Sequence, residues 1–172
     1  SVSGTPAYMA PEMATGPIGK IGIRSDVYLI GAILFEIICK KPPHSGKSTM
    51  DCVLAAAKNQ INPTDATEAP MSIAMKALET EPANRYASVP DFQAAIRQYQ
   101  SHLESITLSD RAEDAFSAAT ETRDYQDFSR ASYAYAEALE LWDDNEAAKE
   151  GLRKTNLAYA QCALEKSDFD LG

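Results

Sequence analysis

Residues 25–40, SDVYLIGAILFEIICK, constrain the fold of this chain more than any other segment. Apolar side chains occur on every side of a helix drawn through them, and outside a membrane that pattern indicates a helix buried on all faces. Glu36 interrupts the segment, which is also shorter than the roughly 20 residues needed to span a bilayer. We therefore expect a central helix that begins at Ser25 and stops before Pro42 and Pro43, with other helices around it.

Three more helices are predicted in the first half of the chain. Residues 49–59 follow a capping box of Ser48 and Asp51, and residues 89–104 follow a similar one of Ser88 and Asp91. Residues 71–80 are the third candidate. No convincing period-two alternation appears anywhere, so the sequence predicts an all-α fold.

The second half has the pattern of amphipathic helices. A first helix is predicted over residues 110–122, and the turn at residues 143–145 separates two others. The residues of their apolar faces are Phe128, Ala131, Tyr135, Ala138, Leu139 and Trp142 on one helix, and Ala148, Leu152, Thr155, Tyr159 and Cys162 on the other.

Proline content and charge divide the chain into two predicted domains, residues 1–105 and 106–172. All nine prolines lie between Pro6 and Pro90. Residues 106–172 hold 7 Lys or Arg and 15 Asp or Glu, a net charge of −8, whereas residues 1–105 carry a net charge of −1. We place the junction near residues 105–108.

Composition excludes several classes of function. A net charge of −9 argues against a nucleic-acid surface, which needs clustered Lys and Arg. Three widely spaced cysteines without a CxxC pair favour a reducing, cytoplasmic compartment and no metal site, and His44 and His102 are predicted to be surface residues. We expect this chain to carry no signal peptide and to make no membrane contact.

Three motifs occur together in the first half: GTPAYMAPE at residues 4–12, SDVYLIG at 25–31 and ANRY at 83–86. In order and spacing they resemble the C-terminal part of the eukaryotic-type Ser/Thr protein kinase fold, from the end of its activation segment to its last helix. The resemblance covers about residues 1–105. It implies the helices of a truncated kinase C-lobe packed around a central buried helix.

The resemblance implies a peptide-substrate loop at the start of the chain. Gly4, Thr5, Pro6, Ala7 and Tyr8 correspond to the loop that seats the residue following the phosphoacceptor. Thr5 takes the position whose hydroxyl meets the catalytic aspartate in Ser/Thr kinases, which makes a tyrosine-specific enzyme less favoured.

Other matching positions imply structural and regulatory roles. Glu12 of the APE motif would pair with Arg85, and Asp26 would accept hydrogen bonds from a catalytic loop. Glu36 lies where some kinases hold a substrate arginine, although a structural role is the alternative. Ser1 falls where activating phosphorylation often occurs, although it would need an Arg cluster that this chain lacks.

The residues that perform phosphoryl transfer are absent from the sequence. It contains no GxGxxG loop, no HRDxxxxN and no DFG, and the resemblance would place these motifs upstream of Ser1. We therefore expect no catalytic residue and no cofactor in this chain, which alone would be inactive, whereas a longer parent would use ATP and Mg²⁺ on protein substrates. The alternative is a pseudokinase scaffold that acts only in protein interaction. Because the central helix lacks the catalytic loop that it would support, apolar surface is predicted to be exposed unless oligomerisation or rearrangement covers it.

The second half loosely resembles tetratricopeptide repeats. Ala131, Tyr135 and Ala138 have the spacing of a second repeat helix, and Trp142 precedes the predicted turn between repeats. The resemblance implies helical hairpins, an incomplete array and a protein partner for this region. The tyrosines of the second half are predicted to be packing residues rather than a ligand cage.

Overall fold

The structure is a computed structural model that describes residues 5–16, 18–66 and 69–168. Its α-helices are α1 (Pro11–Thr15), α2 (Ile23–Cys39), α3 (Thr49–Ala57), α4 (Ala69–Ala77), α5 (Val89–Thr122), α6 (Tyr125–Leu141) and α7 (Glu146–Glu165). Short 3₁₀ helices cover Pro6–Tyr8, Ile18–Lys20 and Pro82–Asn84. These three ranges contain no strand, so the predicted all-α fold is confirmed.

Helix α2 begins two residues earlier than predicted. Gly22 is its N-cap, and the Ser25 hydroxyl lies one turn later, where it accepts a hydrogen bond of 3.2 Å from the Gly22 amide. The prediction of Ser25 as N-cap was wrong because a serine three residues into a helix can bind the cap amide equally well. The helix ends at Cys39, and Lys40 takes a left-handed conformation (φ 58°).

The burial of α2 is incomplete. Val27, Tyr28 and Phe35 are fully buried, whereas Ile33 and Ile37 are 51% and 60% exposed. The prediction of a helix buried on every face was therefore wrong, and the predicted exposure of apolar surface is confirmed.

Helix α4 packs closely against α2. A Cβ atom added to Gly31 would lie 2.5 Å from the Ala77 Cβ, so the glycine permits the close approach of the two helices. One apolar cluster of this unit includes Tyr28, Phe35 and Leu78. A second cluster packs Phe92 of α5 with Ala77.

Helix α3 starts at its predicted position. The Ser48 hydroxyl accepts a 3.1 Å hydrogen bond from the Asp51 amide, which satisfies a backbone donor of the first turn. Ser88 does the same for Asp91 at the start of α5. The capping patterns therefore predicted both helix starts.

Helix α5 differs from the prediction because it is continuous from Val89 to Thr122. The separate helix predicted over residues 110–122 was wrong. Asp110 resembles an N-cap, but neither glycine nor proline occurs between Asp91 and Thr122 to stop the preceding helix. The chain forms two compact units, Ser1–Tyr99 and Gln100–Gly172.

The second unit contains the last part of α5 together with α6 and α7. Asp124 caps α6 through the Gln126 amide, and Asn145 caps α7 through the Ala148 amide. Two apolar clusters hold these helices together. One contains Ala112, Tyr135, Ala138 and Ala148, and the other contains Ala119, Phe128 and Cys162.

None of the helices described is both long and apolar enough to cross a bilayer.

Candidate peptide-binding site

A buried ion pair holds the start of the chain to the loop before α5. The Arg85 Nη1 and Nη2 atoms donate to the two Glu12 carboxylate oxygens at 2.6 and 2.9 Å, a bidentate arrangement. The remaining donors of the guanidinium bind the carbonyls of Glu79, Thr80 and Arg24. All five N–H donors of the guanidinium are thus satisfied, as a buried charge requires.

The Glu12 carboxylate has a further donor in the hydroxyl of Ser25, 2.7 Å away. Burial alone would raise the pKa of Glu12, but the hydrogen bonds from Arg85 and Ser25 outweigh it, so the pKa lies below its ordinary value. The pair therefore remains charged at neutral pH. It links α1, α2 and the loop before α5.

The segment immediately before α1 carries most of the predicted substrate loop. Pro6, Ala7 and Tyr8 form a 3₁₀ helix, with Pro at its first position and Thr5 exposed before it. The Tyr8 hydroxyl donates a 2.8 Å hydrogen bond to the Glu36 Oε2 atom of α2. That bond, burial and the carboxylate charge raise the pKa of Tyr8.

A cleft of about 480 Å³ lies beside the Tyr8–Glu36 pair. Its polar lining residues are Thr5, Tyr8 and Glu36, and its apolar lining residues are Met9, Met13, Leu29 and Ile33. A carboxylate at an apolar wall suits a side chain with an aliphatic stem and a cationic head, such as Arg or Lys. The structure therefore brings Thr5, Tyr8 and Glu36 to one cleft.

None of the other predicted site residues that the structure describes lines this cleft. Asp26 is exposed in the first turn of α2, and no side-chain hydrogen bond of it is seen within residues 5–16, 18–66 and 69–168. Ser1 and Gly4 lie outside the described residues. Within the described part of the chain, no group of three metal-ligating side chains occurs.

The prediction that His44 is a surface residue was wrong. His44 is fully buried, and its ring contacts Tyr28 on one side and the Gln60 carbonyl on the other. Its backbone amide donates to the Ala7 carbonyl at 3.1 Å, which connects it to the predicted substrate loop. No local pattern marks this histidine, because its partners come from distant parts of the sequence.

Polar residues also join the helices of the second unit. The Asn145 Nδ2 atom donates to the hydroxyls of Ser105 and Ser109, and the Ser105 hydroxyl donates to the Ala138 carbonyl. Sequence reasoning missed this network. The feature of the sequence that could have indicated the network is the pair Ser105 and Ser109, which lie four residues apart and so share one face of α5.

The tyrosines of the second unit differ in their surroundings. Tyr135 is buried and donates to the Glu113 carboxylate at 2.6 Å, while Tyr159 stacks on Phe128. Tyr133 is 73% exposed, which makes packing within this unit an incorrect interpretation for that residue.

No family model matches the chain, but it is similar to several curated proteins. It is 31% identical over 99 residues to "Serine/threonine-protein kinase PknB" of Mycobacterium tuberculosis, which covers 55% of this chain and 16% of that protein. The "Probable serine/threonine-protein kinase PknB" of Bifidobacterium longum is 31% identical over 103 residues, 57% of this chain and 15% of that protein.

A third match is shorter but has a higher sequence identity. The "DNA damage-responsive serine/threonine-protein kinase RqkA" of Deinococcus radiodurans is 53% identical over 45 residues, 26% of this chain and 6% of that protein. The resemblance to Ser/Thr protein kinases is therefore confirmed. The matched segments span no more than about a sixth of the length of these relatives.

Proposed function

We propose that this chain is part of a Ser/Thr protein kinase and supplies the peptide-substrate loop and the C-lobe scaffold. The cleft carries the proposal, because Thr5, Tyr8 and Glu36 surround it and the buried pair of Glu12 and Arg85 anchors the adjacent α1. The similarity to several Ser/Thr kinases supports it.

In this proposal the whole protein performs phosphoryl transfer with ATP and Mg²⁺, and the chain itself orients the acceptor peptide. Thr5 would meet the catalytic aspartate, and Asp26 would support the catalytic loop. In the whole protein, Ser1 would be a site of activating phosphorylation where arginines outside this chain bind the phosphate. With its three cysteines unpaired, the chain suits a reducing compartment, which we propose is the cytoplasm.

Peptide binding tests the role of the cleft. A fluorescent Ser/Thr peptide with arginines before the acceptor is titrated with the 172-residue chain, and the same peptide with citrulline in place of arginine is the ligand control. We expect Glu36→Gln to weaken binding of the arginine peptide about tenfold and to leave the citrulline peptide unchanged, since only the first peptide uses the carboxylate charge. Glu79→Gln, an exposed charge change outside the cleft, is the protein control. Equal affinity for both peptides in the unsubstituted chain would contradict the role of Glu36.

Catalysis is tested separately. Because GxGxxG, HRDxxxxN and DFG are absent from the sequence, we expect no incorporation of labelled phosphate by the purified chain with Mg-ATP and peptide. Sequencing the coding region upstream of Ser1 distinguishes an active kinase from a pseudokinase scaffold. An active kinase has these motifs and a lysine on a β-strand that contacts the nucleotide, whereas a pseudokinase has one of them replaced.

The second unit supports an additional role in protein interaction. Tyr133, Leu157 and Leu164 are exposed on α6 and α7, and this part of the chain is strongly acidic. We propose that it forms tetratricopeptide-like hairpins that recruit a protein partner. Affinity capture with residues 1–172 and with a Tyr133→Ser, Leu157→Ser variant tests this role, and a partner retained equally by both would argue against that surface.

A further inference from the structure

The buried His44 ring belongs to a chain of hydrogen-bonding atoms that connects three segments. Its Nδ1 atom is 2.9 Å from the Gln60 carbonyl, and its Nε2 atom is 2.7 Å from the Tyr28 hydroxyl. The same hydroxyl lies 2.6 Å from the Asn59 Oδ1 atom. The chain of atoms therefore runs from Gln60 in the loop after α3, through His44, to Tyr28 of α2 and back to Asn59 in the same loop.

The orientation of the Asn59 amide is determined by its other contacts. Its Nδ2 atom lies 2.8 Å from the Leu78 carbonyl and 2.9 Å from the Thr80 hydroxyl. A carbonyl can only accept, so Nδ2 must face it and Oδ1 must face Tyr28. Both ends of the chain of atoms, the Gln60 carbonyl and Asn59 Oδ1, are consequently acceptors.

This geometry requires three hydrogens. Three contacts of hydrogen-bond length lie between the two end acceptors, and each needs one hydrogen. Tyr28 supplies one, and a neutral imidazole supplies one more. With neutral His44, one of the three contacts therefore joins two acceptors, and only an imidazolium with hydrogens on both ring nitrogens completes all three.

We propose that His44 is a proton-sensitive lock: protonation of its ring completes the hydrogen bonds from Gln60 to Asn59 and fixes the loop after α3 against α2 and the segment at Ala7. The His44 backbone amide already donates to the Ala7 carbonyl. Where the proposed function holds, peptide affinity at the adjacent cleft would depend on the same proton, but the lock itself does not rest on that function.

The charges around His44 decide where the ring titrates. On the α2 side, the Arg85 guanidinium lies 4.8 Å from the Tyr28 ring and is neutralised by Glu12. On the other side, Lys47 and Cys52 line the same cavity as His44. No carboxylate is hydrogen-bonded to the imidazole within residues 5–16, 18–66 and 69–168. Burial lowers the pKa of His44, and the hydrogen bond to the Gln60 carbonyl opposes that effect.

The test is the protonation state of the ring in the folded chain. The chain has two histidines, so a His102→Gln background leaves His44 as the only source of imidazole signals. The ¹⁵N and ¹H shifts of the ring are followed by NMR from pH 8 to pH 4.5, with circular dichroism as a check on folding. We expect hydrogens on both nitrogens in the folded protein at the acid end, with a titration midpoint below the ordinary value of about 6.5. A ring that stays neutral until the protein unfolds would overturn the proposal.

Tyr28→Phe tests the chain of atoms itself, since it keeps the aromatic ring and removes the acceptor for Nε2–H. We expect the titration midpoint of His44 to fall by about one pH unit or more, because the imidazolium loses a charge-assisted hydrogen bond. An unchanged midpoint would show that His44 is only a packed core residue.

Amide hydrogen exchange keeps the proposal falsifiable if Tyr28→Phe does not fold. The His44 and Asn62 amides donate to the carbonyls of Ala7 and Pro43, and both report on the locked segments. After correction for intrinsic rates, we expect their protection to rise on acidification by about tenfold in the unsubstituted chain. In His44→Phe, whose ring cannot titrate, we expect no such change. Protection that does not change with pH in the unsubstituted chain would refute the lock.

Discussion

At the residue scale, the buried Arg85 is a side chain whose replacement should destabilise the first unit. Each of its five donors has an acceptor, and two of them match the Glu12 carboxylate. Lysine has three donors that diverge from a point and cannot reproduce the planar fork. We expect Arg85→Lys to lower the free energy of unfolding by about 3 kcal/mol, near the cost of breaking a buried ion pair, as measured by urea denaturation at pH 7.

The matched control for this change is Arg97→Lys. Arg97 is exposed on α5 within the same unit, and such surface substitutions typically alter stability by no more than about 0.5 kcal/mol. A similar loss for the two variants would mean that the guanidinium geometry at Arg85 contributes little.

Glu12 makes the stability of the first unit dependent on pH. Its pKa in the folded chain is below the ordinary value of 4.5, so the stabilisation is fully present above that value and is lost as the pH falls through the folded pKa. We expect the free energy of unfolding to decrease on acidification below about pH 4.5. Glu12→Gln should be less stable at pH 7 and should show a flatter dependence in this window.

Glu81→Gln serves as the control for the acid titration, because Glu81 is exposed in the loop that precedes Arg85. It should retain the full acid dependence of the unsubstituted chain. If Glu12→Gln retained the same slope, other carboxylates would account for the acid sensitivity.

At the element scale, the packing of α2 on α4 depends on the absence of a side chain at Gly31. An alanine there would place its Cβ 2.5 Å from the Ala77 Cβ, and both positions are buried. Alanine favours a helix over glycine by about 1 kcal/mol, but overpacking costs about 1 to 3 kcal/mol. We expect Gly31→Ala to destabilise the chain by about 1 to 2 kcal/mol, since the buried helices cannot separate freely, as measured by thermal and urea unfolding.

Ala77→Gly provides the compensating change. It removes the atom that the new methyl group would contact, so the double variant should be about as stable as Ala77→Gly alone, with a favourable coupling between the two sites. Strictly additive effects of the two substitutions would show that the Gly31–Ala77 contact does not control the separation of the helices.

The sequence predicted elements best where one local signal decides the structure. Ser48 and Ser88 each cap a helix at the predicted place, because capping requires only residues within one turn. Two signals conflict within α5. The shift in charge at residues 105–108 indicates a boundary, whereas the absence of a helix breaker permits the continuous helix that the structure has.

The contacts of the candidate site also differ in whether the sequence could predict them. The resemblance to Ser/Thr kinases implied that Glu12 pairs with Arg85, and these side chains are 2.6 Å apart in the structure. The contacts of His44 with Tyr28 and Gln60 join residues 16 positions apart, with no periodicity that a sequence could show. Such contacts depend on how helices and loops pack, which a linear pattern does not specify.

At the scale of the whole molecule, the open face of α2 exposes two large apolar side chains one helical turn apart. Ile33 and Ile37 are more than half exposed although they belong to an otherwise apolar helix. Single exposed apolar residues are common, but neighbouring ones on a helix create a patch that attracts apolar molecules. We expect the native chain to enhance the fluorescence of an anilinonaphthalene dye, and Ile33→Asn, Ile37→Asn to reduce that enhancement by at least about half.

A variant in the second unit serves as the control, because it shows how much of the dye signal comes from an exposed apolar residue outside α2. Leu157 is 61% exposed on α7, and Leu157→Asn should leave most of the dye signal in place. The double variant should also retain its unfolding midpoint, because exposed positions contribute little to the core and because asparagine reduces helix propensity by well under 1 kcal/mol per site. A dye signal that falls equally in both variants, or in neither, would place the dominant apolar surface elsewhere than on α2.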